Sequence, residues 1–244
     1  MLDYAVISEI GNRKVNEDCV GTEVRNGNYC FLVCDGLGGH GMGDVASRLV
    51  TDIFLDRFRT MDSQKDFLPT TFTVAQEKLV EKQGIAKACS QMRTTVAAAV
   101  VEQGSVSIGY IGDSRVYVFD KDGIVTRTID HSVPQMLALA GKIEEGDIRT
   151  HPDRNKILRA MGSRWETPLY TLLPDTELTK CRALLLCTDG FWEYITEAEM
   201  TALLNETTSA EEWLAAMSKI VVHKGGGKIM DNYSAIAVIN SHYE

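Results

Sequence analysis

The sequence predicts an α+β fold in which antiparallel strands and helices form separate layers. Short apolar runs predict strands at residues 30–34, 95–101, 106–111, 116–119, 184–187 and 235–239. The runs at 106–111 and 116–119 are only four residues apart, and a connection so short predicts an antiparallel hairpin. Antiparallel pairing and helices that are segregated from the strands favour layers over βαβ winding.

Three stretches carry helix signals. Between residues 45 and 58, apolar side chains recur every three to four positions, as on one face of a helix. Thr196 and Ser209 are each followed three residues later by Glu and then by an amphipathic run, which is the capping-box pattern of a helix N-terminus. Ser132, two residues before Pro134, predicts a further helix start.

Composition narrows the function classes. The chain has 244 residues, enough for one domain with a substantial core, and 44% apolar with 24% charged residues excludes a disordered or fibrous protein. A net charge of −9 argues against nucleic acid binding through bulk positive charge. We expect no membrane association, because the sequence has neither a signal peptide nor an apolar run of about 18–20 residues. The six cysteines lack a CxxC pair and predict reduced thiols in the cytoplasm.

Aspartates recur beside the predicted strands. Asp35 and Asp189 follow apolar runs, Asp231 precedes one, Asp113 lies in the predicted hairpin turn, and Asp18 precedes a further strand. Each alone is explained as a turn residue, since Asp bonds to nearby backbone. Five such sites at neighbouring strand ends predict a cluster that needs a cation between its charges. Oxygen ligands suit Mg²⁺, Mn²⁺ or Ca²⁺, and the scarcity of histidine argues against zinc.

The glycine-rich segment at 36–41 matches G-x-G-x-x-G, the dinucleotide-binding fingerprint. That motif requires a second strand ending in an acid about 20 residues later. Asp56 falls inside a helical pattern and Asp62 lies in a polar stretch, so we interpret the match as accidental. The glycines instead let the backbone pass close to a metal ion, with the Gly36 carbonyl as a candidate ligand.

Six motifs occur in the order typical of one family. They are residues 11–18, 35–40, 112–115, 130–132, 187–190 and 231–232. Together they resemble the metal-dependent protein phosphatase 2C family, especially its bacterial stand-alone members, over residues 4–239. The resemblance implies one catalytic domain spanning residues 1–244, a four-layer α-β-β-α sandwich of two antiparallel sheets, and a flap at about 132–165. It also implies hydrolysis of phosphoserine and phosphothreonine in proteins.

The resemblance further implies two tightly bound Mn²⁺ or Mg²⁺ ions and a third, weaker one. By this resemblance, Asp35 bridges the two tight ions, and the Gly36 carbonyl joins the first of them. Asp189 and Asp231 hold the second ion, and Asp113 with Asp189 holds the third. Glu17 and Asp18 act through metal-bound water. Ions about 4 Å apart activate a bridging water for in-line attack on phosphorus.

Two further residues receive roles from the resemblance. Arg13 would grip the substrate phosphate, since guanidinium offers a planar fork of donors. His40 would protonate the leaving alkoxide, although a histidine that merely satisfies backbone in a glycine loop explains it equally well. His131 is interpreted as structural, fixing the turn at residues 130–132.

The expected partners are phosphorylated proteins that are targets of a Ser/Thr kinase, and the expected state is a monomer. Three other functions are weighed against this one. A non-catalytic regulatory or binding module on the same fold would show no turnover. A hydrolase of small phosphate esters would ignore phosphoproteins. A nucleotide-cofactor oxidoreductase would bind NAD through the glycine segment and need no metal.

Overall fold

The computed structural model describes residues 1–38, 42–60, 66–88, 91–227 and 229–243. Its strands are β1 (Leu2–Glu9), β2 (Asp18–Arg25), β3 (Asn28–Leu37), β4 (Arg93–Thr94), β5 (Val96–Glu102), β6 (Ser105–Ile111), β7 (Arg115–Phe119), β8 (Ile124–Arg127), β9 (Thr171–Leu172), β10 (Thr176–Glu177), β11 (Ala183–Cys187) and β12 (Tyr233–Asn240). Its α-helices are α1 (Gly43–Thr60), α2 (Phe67–Ala86), α3 (Val133–Leu139), α4 (Asp189–Trp192), α5 (Glu197–Glu206) and α6 (Ala210–Gly225). Short 3₁₀ turns cover Glu145–Thr150 and Leu178–Lys180.

The strands form two sheets that pack face to face. One has the order β1-β12-β11-β7-β8, and the other has the order β10-β6-β5-β3-β2 with β9 beside β6 and β4 beside β3. Every ladder between the described strands is antiparallel, so they contain no βαβ unit, and the glycine match is accidental as interpreted.

Three apolar clusters define four layers. Phe31 and Val33 of β3 face the other sheet, where Leu184 and Ile236 meet them. Residues on the opposite face of β3 pack with α1 and α2, while α4, α5 and α6 cover the first sheet. Because both faces of β3 are covered, its run from 30 to 34 is apolar throughout instead of alternating. The predicted α-β-β-α sandwich is confirmed.

The hairpin predicted for residues 106–119 is wrong. Strand β6 lies in the second sheet between β5 and the pair β9 and β10, whereas β7 lies in the first sheet between β11 and β8. In the structure the link is three residues long, 112–114, and it crosses from one sheet to the other. Packed sheets are about 10 Å apart, and the four Cα–Cα steps from Ile111 to Arg115 can span about 13 Å, so a short link need not join hydrogen-bonded partners. Gly112 permits the crossing with φ of +104°.

The predicted helix starts are confirmed. Thr196 and Glu199 form a reciprocal capping box, and Ser132 caps α3 by accepting from the Gln135 N–H. Ser209 caps α6, although the Glu212 side chain reaches back to Thr208 and not to Ser209 itself.

Helix α2 was not among the predicted elements, because part of its buried face is polar. Gln76 donates to the Ser163 carbonyl at 2.6 Å, and Gln83 donates to the Gly162 carbonyl at 2.9 Å. These amides are buried yet satisfied, and they break the apolar period by which a helix is recognised. Among the described helices, none is both long enough and apolar enough to cross a bilayer.

Candidate functional site

One edge of the sandwich gathers the carboxylates that the sequence singles out. Asp18 and Asp35 lie directly opposite each other on β2 and β3, and the negative charge of Asp189 acts on Asp35. Asp231 precedes β12, and Asp113 lies in the link from β6 to β7. The negative charges of the other four all act on Asp35. The structure therefore brings together all five aspartates from distant parts of the chain.

Asp35 lies at the centre of this cluster. It falls within β3, which continues to Leu37, and not directly after the strand as the apolar run suggested. Burial raises the pKa of Asp35 well above its usual value, and the nearby charges of Asp189 and Asp18 raise it further. A group of carboxylates held together in this way is stabilised by protons or by cations.

Two further carboxyls of the cluster show the same effect. Burial raises the pKa of Asp18 to about 7, although the Thr188 hydroxyl donates to its Oδ2 at 2.9 Å. Burial, with the charge of Asp231, raises the pKa of Asp189 to about 6. Both values exceed the unfolded value of 3.8, so the folded protein binds more protons than the unfolded chain between about pH 4 and pH 7.

A pH dependence of stability follows for protein stripped of divalent ions with EDTA. The unfolding temperature should rise as pH falls from 8 to 5.5, by about 2–4 °C for each kcal/mol gained, because protonation relieves the repulsion. Saturating Mn²⁺ should reverse the trend, since cations bind only the ionised carboxylates. Melting curves at both pH values check this, and a stripped protein that is more stable at pH 8 would contradict it.

The main chain next to Asp113 is held in place by His131. The Gly112 N–H donates to His131 Nδ1 at 3.2 Å, and the His131 N–H donates to the Gly112 carbonyl at 2.8 Å. His131 thus secures the turn before Asp113, and not only the turn at residues 130–132. The side chain of Asp113 is buried, and within the described part of the chain its Oδ1 has no hydrogen-bond partner.

Unpartnered oxygens test whether the site suits a cation. Asp113 Oδ1 and Glu17 Oε1 are buried without a partner among the described residues. A buried acceptor without a donor is costly, and a cation would satisfy both atoms. Within the described ranges, no group of three or more Asp, Glu, His or Cys side chains is already arranged around one point as a complete ligand set. Asp231 is instead paired with Arg13, whose Nη2 lies 2.6 Å from Asp231 Oδ2.

The loop from 10 to 17 is fastened by Asn232. Its Oδ1 accepts the Glu17 N–H at 2.8 Å, and its Nδ2 donates to the carbonyls of Ile10 and Val15. These contacts place Arg13 beside Asp231, and half of the Arg13 side chain, 52%, remains exposed. An exposed guanidinium next to a carboxylate cluster can bind an anion that enters from solvent.

Gly36 lies where two backbone segments approach closely, and the approach of its carbonyl to a metal ion stays a prediction. A Cβ there would lie 2.3 Å from the Gly43 carbonyl oxygen and 2.6 Å from that of Glu17. The Gly36 N–H also donates to the Glu17 carbonyl at 3.1 Å, which ties β3 to the loop before β2. His40, the candidate proton donor, lies outside the described residues.

Several residues of this site were not predicted from the sequence. Thr188 and Asn232 position carboxylates, and Glu193 adds another acid paired with Arg154 at 3.0 Å. Burial raises the pKa of Glu193 to about 7, with Asp189 as the second cause. Its spacing of four residues after Asp189 would have predicted a shared helix face.

Comparisons with known proteins agree on one family. The family model described as protein phosphatase 2C matches residues 8–223. Serine/threonine phosphatase stp of Listeria innocua is 31% identical over 207 residues, covering 82% of this chain and 81% of that protein. The crystal structure of serine/threonine phosphatase Stp1 from Staphylococcus aureus superposes with a TM-score of 0.89 at 29% identity, covering 99% and 96% of the two chains.

A more distant structure shares the fold. The catalytic domain of serine threonine protein phosphatase PstP, solved in complex with two manganese ions, matches with a TM-score of 0.80 at 23% identity, covering 98% of this chain and 97% of that one.

Proposed function

The chain belongs to the protein phosphatase 2C family, and we propose that its carboxylate cluster holds the divalent ions with which it removes phosphate from phosphoserine and phosphothreonine. It is a protein serine/threonine phosphatase. The observation that carries the proposal is the convergence of five aspartates whose negative charges act on one another at one edge of the sandwich. Such a cluster is suited to hard cations.

We propose Mn²⁺ or Mg²⁺ as the ions, two bound tightly and a third bound weakly. Asp35 would contact both tight ions, the Gly36 carbonyl would join the first, and Asp189 with Asp231 would hold the second. When bound, the ions supply positive charge that activates the attacking water and neutralises the phosphoryl oxygens. The manganese ions bound to PstP, which shares this fold, support the choice of metal.

The protein's own side chains orient this centre. Glu17 and Asp18 would act through water. The Thr188 hydroxyl holds the Asp18 carboxylate, and the side-chain oxygen of Asn232 accepts the main-chain N–H of Glu17. Asp113 would join Asp189 in holding the third ion, for which its unpartnered Oδ1 is available. His40 is the candidate donor of a proton to the leaving oxygen.

Arg13 is proposed to bind the substrate phosphate. It now donates to Asp231, and that hydrogen bond is the main cause of its raised pKa, so the guanidinium stays charged. The planar guanidinium now contacts one carboxylate oxygen of Asp231, and an incoming phosphate would offer it two oxygens.

We further propose that the enzyme acts in the cytoplasm as a monomer on the targets of Ser/Thr kinases, with residues 132–165 as a flap beside the site. The end of this segment is anchored, because Gln76 and Gln83 of α2 bind the backbone at 162 and 163. Its Arg154 reaches the site through Glu193.

Phosphate release from matched phosphoserine, phosphothreonine and phosphotyrosine peptides tests the function. Turnover is expected with Mn²⁺ on the first two peptides and should be lost in EDTA. Full activity of thoroughly chelated enzyme would overturn the role of metal. Hydrolysis of p-nitrophenyl phosphate without any peptide turnover would favour the small-ester hydrolase. No turnover of any substrate would favour the non-catalytic module.

Arg13→Ala is expected to raise KM for a phosphoserine peptide by about 10-fold or more, because a charge-assisted contact to phosphate is lost. If the contact tightens in the transition state, kcat falls as well. Steady-state kinetics check this, with Arg25→Ala as a control for the loss of one arginine elsewhere. An unchanged kcat/KM would make Arg13 an ordinary surface residue.

A further inference from the structure

Trp192 connects two parts of the carboxylate cluster. It ends α4, the short helix that Asp189 begins, and its side chain is buried. Its indole Nε1–H donates to the main-chain carbonyl of Asp113 at 3.0 Å. The bond joins residues 79 positions apart in the chain, and it links the turn after β6 to the helix after β11.

The indole ring is itself held firmly. The guanidinium of Arg115 lies over it, 3.4 Å from the ring centroid, and Asp130 binds that guanidinium through two hydrogen bonds of 2.9 and 2.7 Å. The main chain of the same residue is also held, because Arg149 Nε donates to the Trp192 carbonyl at 3.2 Å. A ring fixed in this way can hold the group that it binds.

The carboxylate of Asp113 depends on its main chain for its position. Its buried Oδ1 makes no hydrogen bond with the described residues, so contacts to the side chain do not fix where that oxygen points. On one side His131 holds Gly112, and on the other Trp192 holds the Asp113 carbonyl. Without the indole bond, the Asp113 carbonyl would lose this hydrogen bond, and the following residue would still be held through the Ser114 hydroxyl, which bonds Thr95 at 2.7 Å.

We infer that Trp192 is a positioning residue, which sets the separation of the Asp113 and Asp189 carboxylates by hydrogen bonding to the Asp113 carbonyl. The inference rests on the proposed function, in which these two residues share the third, weaker ion. Partners that orient metal ligands typically contribute about 10–100-fold to metal affinity or activity. Trp192 acts on the ion only through the backbone of Asp113 and the shared helix α4.

Trp213 provides a matched control within the same apolar cluster. It is also buried, and its Nε1–H also donates to a main-chain carbonyl, that of Met200, at 3.0 Å. Trp192→Phe and Trp213→Phe therefore remove the same donor from similarly buried surroundings. Of these two indoles, Trp192 is the one that is connected to the carboxylate cluster.

The experiment measures three quantities on wild type and both variants: the melting temperature in EDTA, calorimetric Mn²⁺ binding, and the Mn²⁺ dependence of turnover on a phosphoserine peptide. Both variants are expected to lose similar thermal stability and to keep the two tight ions. Only Trp192→Phe should lower the affinity for the third Mn²⁺ ion and lower kcat, each by about 10–100-fold. Equal metal binding and turnover in the two variants would overturn the inference.

Two arms keep the result interpretable. If Trp192→Phe does not fold, an analogue in which sulfur replaces the indole N–H is introduced at position 192, since it preserves the ring shape and removes only the donor. Wild-type turnover of the peptide is scored separately, because its absence would overturn the proposed function, whereas equal behaviour of active variants overturns only the role of Trp192.

Discussion

Asp35→Asn is expected to abolish turnover without unfolding the protein. Asn has the same shape but no charge, so it cannot bridge two cations as a carboxylate does. We expect kcat to fall by on the order of 10³-fold or more, equivalent to about 4 kcal/mol in the barrier. All four other aspartates of the cluster act on Asp35, and it would contact both tight ions, so its replacement should be the most damaging single change.

Stability should move in the opposite direction from activity. Burial and the charges of Asp189 and Asp18 disfavour the ionised form of Asp35, which is why its pKa is raised. Asn removes that repulsion, so the EDTA-treated variant should melt at or above the wild-type temperature at pH 7.5. In saturating Mn²⁺ the order should reverse, because wild type gains more from ion binding.

Peptide kinetics and melting curves with and without Mn²⁺ check both statements. Asp175→Asn is the control, because Asp175 binds Ser107 on the exposed side of the second sheet. Normal turnover of Asp35→Asn would refute the bridging role. A lower melting temperature in EDTA would show that Asp35 stabilises the fold, and the lost activity of the variant would then be no evidence for a catalytic role.

The local signals in the sequence predicted most of the secondary structure and all five aspartates of the cluster. Strands β3, β5, β6, β7, β11 and β12 follow their apolar runs closely, because burial on both faces requires such runs. The aspartates were recognisable since each adjoins a strand, and strand ends of layered sheets lie along common edges.

Sheet membership and positioning contacts could not be predicted in the same way. Whether β7 pairs with β6 or joins the other sheet depends on β11 and β8, which occupy its two edges. Asn232 binds Glu17 across 215 positions of sequence, and a local hydrophobic pattern cannot predict such a distant contact. The polar buried face of α2 is likewise explained only by the distant backbone at 162 and 163 to which it hydrogen bonds.

Asp130→Ala is expected to cause the largest loss of stability. Asp130 binds the Arg115 guanidinium through two hydrogen bonds, and the Arg115 and Asp130 side chains are almost fully buried, at 2% and 1% exposure. Burial disfavours the charged guanidinium, but Asp130 outweighs it and raises the pKa of Arg115. Removing Asp130 leaves a buried charge without its main partner, which costs about 3–5 kcal/mol. For a chain of this size the melting temperature should fall by roughly 6–20 °C.

A double variant separates lost charge compensation from lost packing. Arg115→Met with Asp130→Leu replaces the ion pair by apolar side chains of similar size, and a buried pair replaced in this way typically costs little or nothing. The double variant should therefore regain most of the stability that Asp130→Ala loses, as measured by urea unfolding. Glu81→Gln, which breaks the exposed Lys78–Glu81 pair, should change stability by less than about 1 kcal/mol. A double variant no more stable than Asp130→Ala would mean that Arg115 stabilises the fold by packing on Trp192 and not through its ion pair.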